Sequence, residues 1–365
     1  MDLVTTSPLW WQAYPSVPPS REFLRPVPRA LLDFHRQLPG YAPTPLVALP
    51  HVATELRVGR VLVKDESDRF GLPAFKMLGA SWASARAVGA LAGAPPDSVS
   101  PDALRRLIDE SGVKVRLFTA TAGNHGRAVA RTARLLGVSA RVWTPASTPP
   151  HLRSAIEAED AELVVVPGSY DEAVRHASDA AADDGNAVLV QDTTQDEREE
   201  IPACVVEGYA TLFHEIHTEL GRHPDVVVVP TGVGSLAQAA ATYCGAALLT
   251  VEPTAAACLL TSLRSGVPRP VRTGTTVLAG LNAGTVSGSA WPVLRDRVAA
   301  AIAVTDDDAL RGTGELRLAG IHAGPCGGAA IAGLTDALSV PAVRTALGIE
   351  RDSCVVVLST DGTPR

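Results

Sequence analysis

"VVVVPTGVGSLAQAA" (residues 226–240) runs a block of four valines into a Pro-Thr-Gly-Val-Gly-Ser turn and then into an alanine-rich helical stretch. A strand that is apolar throughout, with no alternation, belongs to a sheet covered on both faces. The glycines of the turn let the backbone curl so that consecutive N–H groups converge, and the helix that follows adds its unpaired N–H groups to the same spot. The stretch therefore predicts a parallel sheet with an anion-binding turn at the carboxyl end of a strand.

The same unit recurs along the chain. "RVLVKDE", "KVRLFTAT", "ARVWTP", "AELVVVP", "NAVLVQD", "ALLTVEP" and "SCVVVLST" are short apolar runs, most of them ended by Pro, Asp or Thr. Between most of them lie helical stretches such as "GRAVARTARLLG" and "DEAVRHASDAAADDG". Strands alternating with amphipathic helices predict an α/β fold of two doubly wound domains with mostly parallel sheets. A length of 365 residues fits two domains. The expected division is a large cofactor-binding domain, residues 1–76 and 179–365, and a small substrate-side domain, residues 77–178.

Composition removes several function classes. The net charge of −7 is spread along the chain, with no basic face to neutralise phosphates, so no nucleic acid is expected as partner. No apolar run has the length and uniformity of a membrane span, and "MDLVTTSPLWWQAYPSVPPS" lacks the basic start and apolar core of a secretory signal. The five cysteines form no CxxC pair, and neither they nor the nine histidines fall at metal-ligand spacing. A cytoplasmic protein with reduced thiols and no metal is expected.

Three turns carry the chemistry. In the first, residues 226–240, Gly232, Val233, Gly234 and Ser235 form the phosphate nest, with the hydroxyls of Thr231 and Ser235 as further donors. It is not a Walker loop, because no Gly-Lys-Ser/Thr follows, and it lacks the third glycine of the dinucleotide fingerprint. Glu252 in "VEP" imitates the acid of that fingerprint, which leaves nucleotide binding as a competing reading. The second turn is "TATAGNHGRAVA" (residues 119–130), where Gly123 and Gly126 allow a ligand close to the backbone and Asn124 offers a neutral hydrogen bond.

The third is "VKDESDRFGLPAFKMLGA" (residues 63–80). The chain has three lysines against 29 arginines, and two of the three, Lys64 and Lys76, lie here. Lys76 stands between Phe75 and Met77, where desolvation favours a neutral amine able to condense with an aldehyde. Arginine cannot replace it, because a guanidinium stays protonated. Lys64 reads as structural. An aldehyde, a phosphate and an aromatic ring needing hydrogen bonds together describe pyridoxal 5'-phosphate.

With these turns in order, the chain resembles the fold type II (tryptophan synthase β-like) pyridoxal-phosphate enzymes, and within them most closely the diaminopropionate ammonia-lyases. The resemblance covers residues 41–362 and rests on "KDESDRFGLPAFKMLGAS", "TAGNHGRAVA", "PGSYDEAV", "VLVQDTT" with "EEIPACVVEGY", "GVGSLA", "VEP", "TVLAGLNAG" and "VVLSTDG". It implies that Lys76 holds the cofactor as a Schiff base and then serves as base at Cα. It places Asn124 on the phenolic oxygen of the cofactor, Gly232, Val233, Gly234 and Ser235 on the phosphate, and Ser359 or Thr360 on the pyridine nitrogen. Thr121, Ala122, Gly123 and His125 would receive the substrate carboxylate, and Asp192 would contact the leaving amine or transfer a proton. Asp192 also reads, more simply, as a strand-end cap.

The implied activity is α,β-elimination from a β-substituted amino acid, giving a 2-oxo acid and ammonia, by a homodimer. Departures from the lyase pattern lie near the substrate: Ala122 stands where the pattern has an acid, and "AGPCGG" (residues 323–328) replaces a "GESG" turn. They keep β-replacement, or a serine/threonine dehydratase-like reaction, as an alternative. A non-catalytic amino-acid or nucleotide sensor is a rival of another class, opposed by the retained Lys76.

Overall fold

The computed structural model describes residues 10–14, 24–94, 100–121, 123–194 and 200–363. Its strands are β1 (Trp10–Ala13), β2 (Leu46–Ala48), β3 (Arg60–Asp65), β4 (Arg116–Ala120), β5 (Ser139–Pro145), β6 (Glu162–Val166), β7 (Ala187–Leu189), β8 (Val226–Pro230), β9 (Ala247–Pro253), β10 (Val298–Val304) and β11 (Cys354–Ser359). They form a seven-stranded sheet in the order β1-β10-β9-β8-β11-β3-β2 and a four-stranded sheet in the order β6-β5-β4-β7. The small sheet is parallel throughout. The large one is parallel except for its edges, where β1 runs against β10 and β2 against β3.

All eight strands read from apolar runs are present. β8 is buried at every residue, as a continuous valine run in mid-sheet requires. Three strands were not expected. β10, "VAAAIAV", is alanine-rich and locally reads as helix. It is a strand because β9 pairs with it on one side and β1 on the other, with every residue buried. β1 and β2 are short edge strands in proline-rich surroundings.

Contacts divide the chain into two compact units: Met1–Arg25, Thr44–Ser67 and Phe213–Arg365 in one, Pro26–Pro43 and Asp68–Leu212 in the other. These bounds differ from the expected division. Lys76 and residues 179–212 group with the four-stranded sheet, because β7 pairs with β4 and the helix Lys76–Leu91 packs on the helix Glu200–Gly208. That packing is close because both faces carry glycine. A Cβ on Gly79 would lie 2.5 Å from the Tyr209 ring, and one on Gly208 would lie 2.5 Å from the Leu78 carbonyl oxygen.

Lys64 is structural, as its position on β3 suggested. It is wholly buried, and its Nζ donates to Glu215 Oε2 at 2.7 Å and to the Thr44 carbonyl at 2.8 Å. The Thr44 hydroxyl in turn donates to Glu66 Oε1 at 2.6 Å. Removing one member of a buried ion pair strands the other charge. Lys64→Met should therefore cost about 4 kcal/mol in urea unfolding, and adding Glu215→Leu should restore most of it.

Candidate active site

In the unit that contains the small sheet, Lys76 is the first residue of its helix, and its Nζ donates to Asp192 Oδ2. The nearest aromatic faces are Phe75, with Nζ 5.1 Å from the ring centroid, and Tyr209, at 5.9 Å. Phe75 and Tyr209 pack on each other with centroids 4.8 Å apart.

Burial works against the charged form of Lys76, but the Asp192 carboxylate outweighs it, and the amine is held above the ordinary lysine value. Burial likewise pushes the Asp192 carboxyl up, yet the Lys76 ammonium brings it down to about 2. The expectation of a neutral Lys76 is thus corrected. Its apolar neighbours in sequence favour the free amine, and a carboxylate 116 residues away reverses that preference.

A carboxyl at about 2, against an ordinary 3.8, stabilises the folded chain above the ordinary value and loses this contribution as pH falls through 2. Between pH 5 and pH 3 the loss amounts to about 1 kcal/mol. Urea unfolding at the two pH values should show that extra drop in the native chain and not in Asp192→Asn.

His125, on the first turn of the helix Asn124–Leu136, is buried, and its Nε2 meets the Val190 carbonyl at 2.9 Å. A carbonyl only accepts, so Nε2 carries the proton. Burial lowers the pKa of the ring and keeps it neutral, and the buried Nδ1 has no partner among the described residues. Its imidazole presents a lone pair there, so reception of a carboxylate in this turn falls to backbone N–H groups. Asn124 opens the helix; Thr121 is buried and accepts the Gly123 N–H at 3.0 Å. Ala122 lies outside the described residues. Gly126 serves packing rather than ligand approach, since a Cβ there would lie 2.2 Å from the Thr121 side chain.

Two groups given no role from the sequence, Tyr170 and Gln191, adjoin the pair. Gln191 Oε1 accepts the Ala120 N–H at 3.2 Å and the Thr119 hydroxyl at 3.0 Å. Its Nε2 donates to the Ala120 carbonyl at 3.1 Å and to the Tyr170 hydroxyl oxygen at 2.8 Å. Both ends of the amide are fixed by one backbone residue, so the bond to Tyr170 has a fixed direction. Burial, then Asp192, raises the Tyr170 phenol above its ordinary value and keeps it protonated. The signals were "PGSYDEAV" and "VVEGY", whose tyrosines carry no chemistry until the fold brings them to Lys76.

In the other unit, the turn after β8 forms as its sequence predicted. Gly234 has φ +99°, a value that favours glycine, and a Cβ on it would meet Leu294 at 2.9 Å. The N–H groups of Gly232, Val233 and Gly234 have no protein acceptor among the described residues. Ser235 begins the helix Ser235–Tyr243 and is buried. Thr231 is not a further donor to this turn, because its hydroxyl donates to the Val229 carbonyl at 2.9 Å.

Ser359 ends β11; its Oγ is buried and has no partner among the described residues. Thr360 beside it is also buried. Asp361 accepts the N–H groups of Gly327 at 2.8 Å and Cys326 at 3.2 Å, capping the helix Pro325–Leu338 inside the "AGPCGG" turn. Glu252 is not a ribose ligand. It is wholly buried and accepts the Leu259 and Leu260 N–H groups, each at 2.7 Å, at the start of the helix Cys258–Ser265. Burial raises its carboxyl to about 8.

Each unit, by itself, carries donors that suit a part of pyridoxal phosphate. The N–H groups of the turn suit a phosphate, the orphaned Ser359 hydroxyl suits a ring nitrogen, and Lys76 suits an aldehyde. The family described as "Pyridoxal-phosphate dependent enzyme" matches residues 37–361. The diaminopropionate ammonia-lyase of Salmonella typhimurium is 37% identical over 298 residues, 77% of this chain and 73% of that protein. The crystal structure of the Escherichia coli diaminopropionate ammonia lyase with D-serine superposes with a TM-score of 0.85 at 30% identity, covering 97% of this chain and 94% of that one. The same lyase with an aminoacrylate-PLP azomethine reaction intermediate gives a TM-score of 0.80 at 30% identity, over 97% and 92%.

Proposed function

The chain belongs to the family of pyridoxal-phosphate dependent enzymes, and from that membership we propose that it eliminates ammonia from 2,3-diaminopropionate, giving pyruvate and two molecules of ammonia. It is a carbon–nitrogen lyase of fold type II. The observation that carries the reading is the Lys76–Asp192 pair set against Phe75, Tyr209 and Tyr170.

Bound pyridoxal phosphate supplies an electron sink for the pair left on Cα when its proton departs. Lys76 would hold the cofactor at its aldehyde carbon, and its amine would take the proton from the substrate Cα. The Cβ–N bond then breaks, and its electron pair leaves with ammonia. Water hydrolyses the remainder to the 2-oxo acid and the second ammonia. Asp192, ionised and buried, serves the leaving group or a proton transfer.

We assign the phosphate to Gly232, Val233, Gly234 and Ser235, the ring nitrogen to Ser359 or its neighbour Thr360, and the phenolic oxygen to Asn124. A neutral hydroxyl at the ring nitrogen leaves that nitrogen largely unprotonated, which suits elimination better than transamination. The turn bearing Thr121, Ala122, Gly123 and His125 is assigned the substrate carboxylate, through the N–H groups that open its helix, since those of Thr121 and Gly123 already bond the Trp143 carbonyl and the Thr121 hydroxyl. The family resemblance further implies a cytoplasmic homodimer; among the described residues no helix is long and apolar enough to cross a membrane.

The test is incubation of the cofactor-loaded enzyme with 2,3-diaminopropionate, serine and threonine, scored for 2-oxo acid. Pyruvate from diaminopropionate is expected. No 2-oxo acid from any of the three would overturn the lyase reading.

A further inference from the structure

We infer that the Tyr170 phenol is a further substrate-binding group, and that its O–H donates to the α-carboxylate of the amino acid. The inference takes from the proposed function only the class of ligand, an α-amino acid, and adds to it the side chain that selects for a free carboxylate.

The donor is held firmly within one unit. Tyr170 is the first residue of the helix Tyr170–Ala182, whose start is fixed by a capping box. Ser169 Oγ accepts the Glu172 N–H at 3.3 Å, and Glu172 Oε2 accepts the Ser169 N–H at 2.6 Å. The Tyr170 hydroxyl oxygen accepts from Gln191 Nε2 at 2.8 Å, and the same Nε2 donates to the Ala120 carbonyl at 3.1 Å. The amide cannot turn over, because its Oε1 already accepts the Ala120 N–H and the Thr119 hydroxyl. Tyr170 is therefore the acceptor in its bond to Gln191, and its own proton is left over. No described residue accepts that proton. A donor fixed in place with its proton unpaired is a binding group for an acceptor the chain does not itself supply.

Its location decides which acceptor. Through Gln191 the phenol is tied to Ala120, the last residue of β4, and the turn proposed for the substrate carboxylate begins one residue later. That turn is short of donors. The Thr121 N–H bonds the Trp143 carbonyl, the Gly123 N–H bonds the Thr121 hydroxyl, and His125 presents a lone pair at Nδ1. On an amino acid with a β-amine, a protonated amine has no lone pair, so the carboxylate is the group that accepts. Burial, then Asp192, keeps the phenol protonated, so it offers a hydrogen bond without giving up its proton.

The test titrates the cofactor-loaded native enzyme and cofactor-loaded Tyr170→Phe with alanine and with alaninamide, followed by the cofactor's absorption. Neither probe carries a β leaving group, so binding is read without elimination. Tyr170→Phe should weaken alanine at least about tenfold, as loss of a hydrogen bond to a charged group predicts, and alaninamide by no more than about threefold. Gln191→Glu keeps the ring but gives its O–H a carboxylate to bond within the protein. It should weaken alanine over alaninamide in the same way, and it serves as the second arm should Tyr170→Phe fail to fold. A smaller loss for alanine, an equal loss for the two probes, or a native enzyme that alanine does not titrate would overturn the inference. Failure of the elimination reading looks different: the native enzyme would form no pyruvate from diaminopropionate, while the alanine and alaninamide results would stand.

Discussion

Lys76→Ala is expected to lower kcat for elimination at least about 10³-fold, because one substitution removes both the group that bonds the cofactor and the base at Cα. Lys76→Ala strands the buried Asp192 carboxylate and should lower stability as Lys64→Met does, but Lys76 opens its helix and the neighbouring contact of Gly79 and Gly208 does not involve its side chain. Lys76→Arg should be equally inactive. It keeps a cation for Asp192, but a guanidinium neither condenses with an aldehyde nor takes a proton near neutral pH. The decisive measurement pairs turnover with the absorption spectrum: both variants should take up the cofactor and neither should show the protonated Schiff-base band. Residual turnover within tenfold of the native enzyme in either variant would remove Lys76 from its assigned role.

Ser235→Asp should have the second largest effect, on cofactor affinity. It sets a carboxylate on the buried first residue of the helix after β8, beside the N–H groups of Gly232, Val233 and Gly234 that face no protein acceptor. Like charges brought together away from water repel by several kcal/mol, so the cofactor dissociation constant should rise on the order of 10³-fold. The helix should form as before, because an acid in its first turn favours the helix dipole. Titration with cofactor, followed by absorbance, reads the change; an unaltered dissociation constant would place the phosphate elsewhere.

The fold was legible wherever a local signal was strong. β8 and its turn follow from a valine run and two glycines, because a strand without alternation and a residue at φ +99° are constraints on a few neighbouring residues. β10 was illegible for the complementary reason. Its alanines favour helix in isolation, and only the partners β9 and β1 hold them extended. The residues proposed for the chemistry, Lys76, Asn124 and Asp192 in one unit and Ser359 in the other, were all readable. Phe75 was read only as an apolar neighbour of that lysine, and Tyr209 was not given a role, since an aromatic ring matters to Lys76 only once it lies within about 6 Å.

What the sequence determined by itself is the class of chemistry: an α/β chain with an anion-binding turn and a lysine that arginine could not replace. The tertiary structure decided the charge that lysine carries. Beside Phe75 and Met77 it reads as a neutral amine, and in the folded chain Asp192, distant in sequence, makes it an ammonium. Two lysines of one stretch were separated in the same way, Lys64 buried against Glu215 as a structural cation and Lys76 against Asp192 and two aromatic faces. Desolvation by sequence neighbours and attraction by a distant carboxylate act on the same amine with opposite sign, and only the fold sets the distance that decides between them.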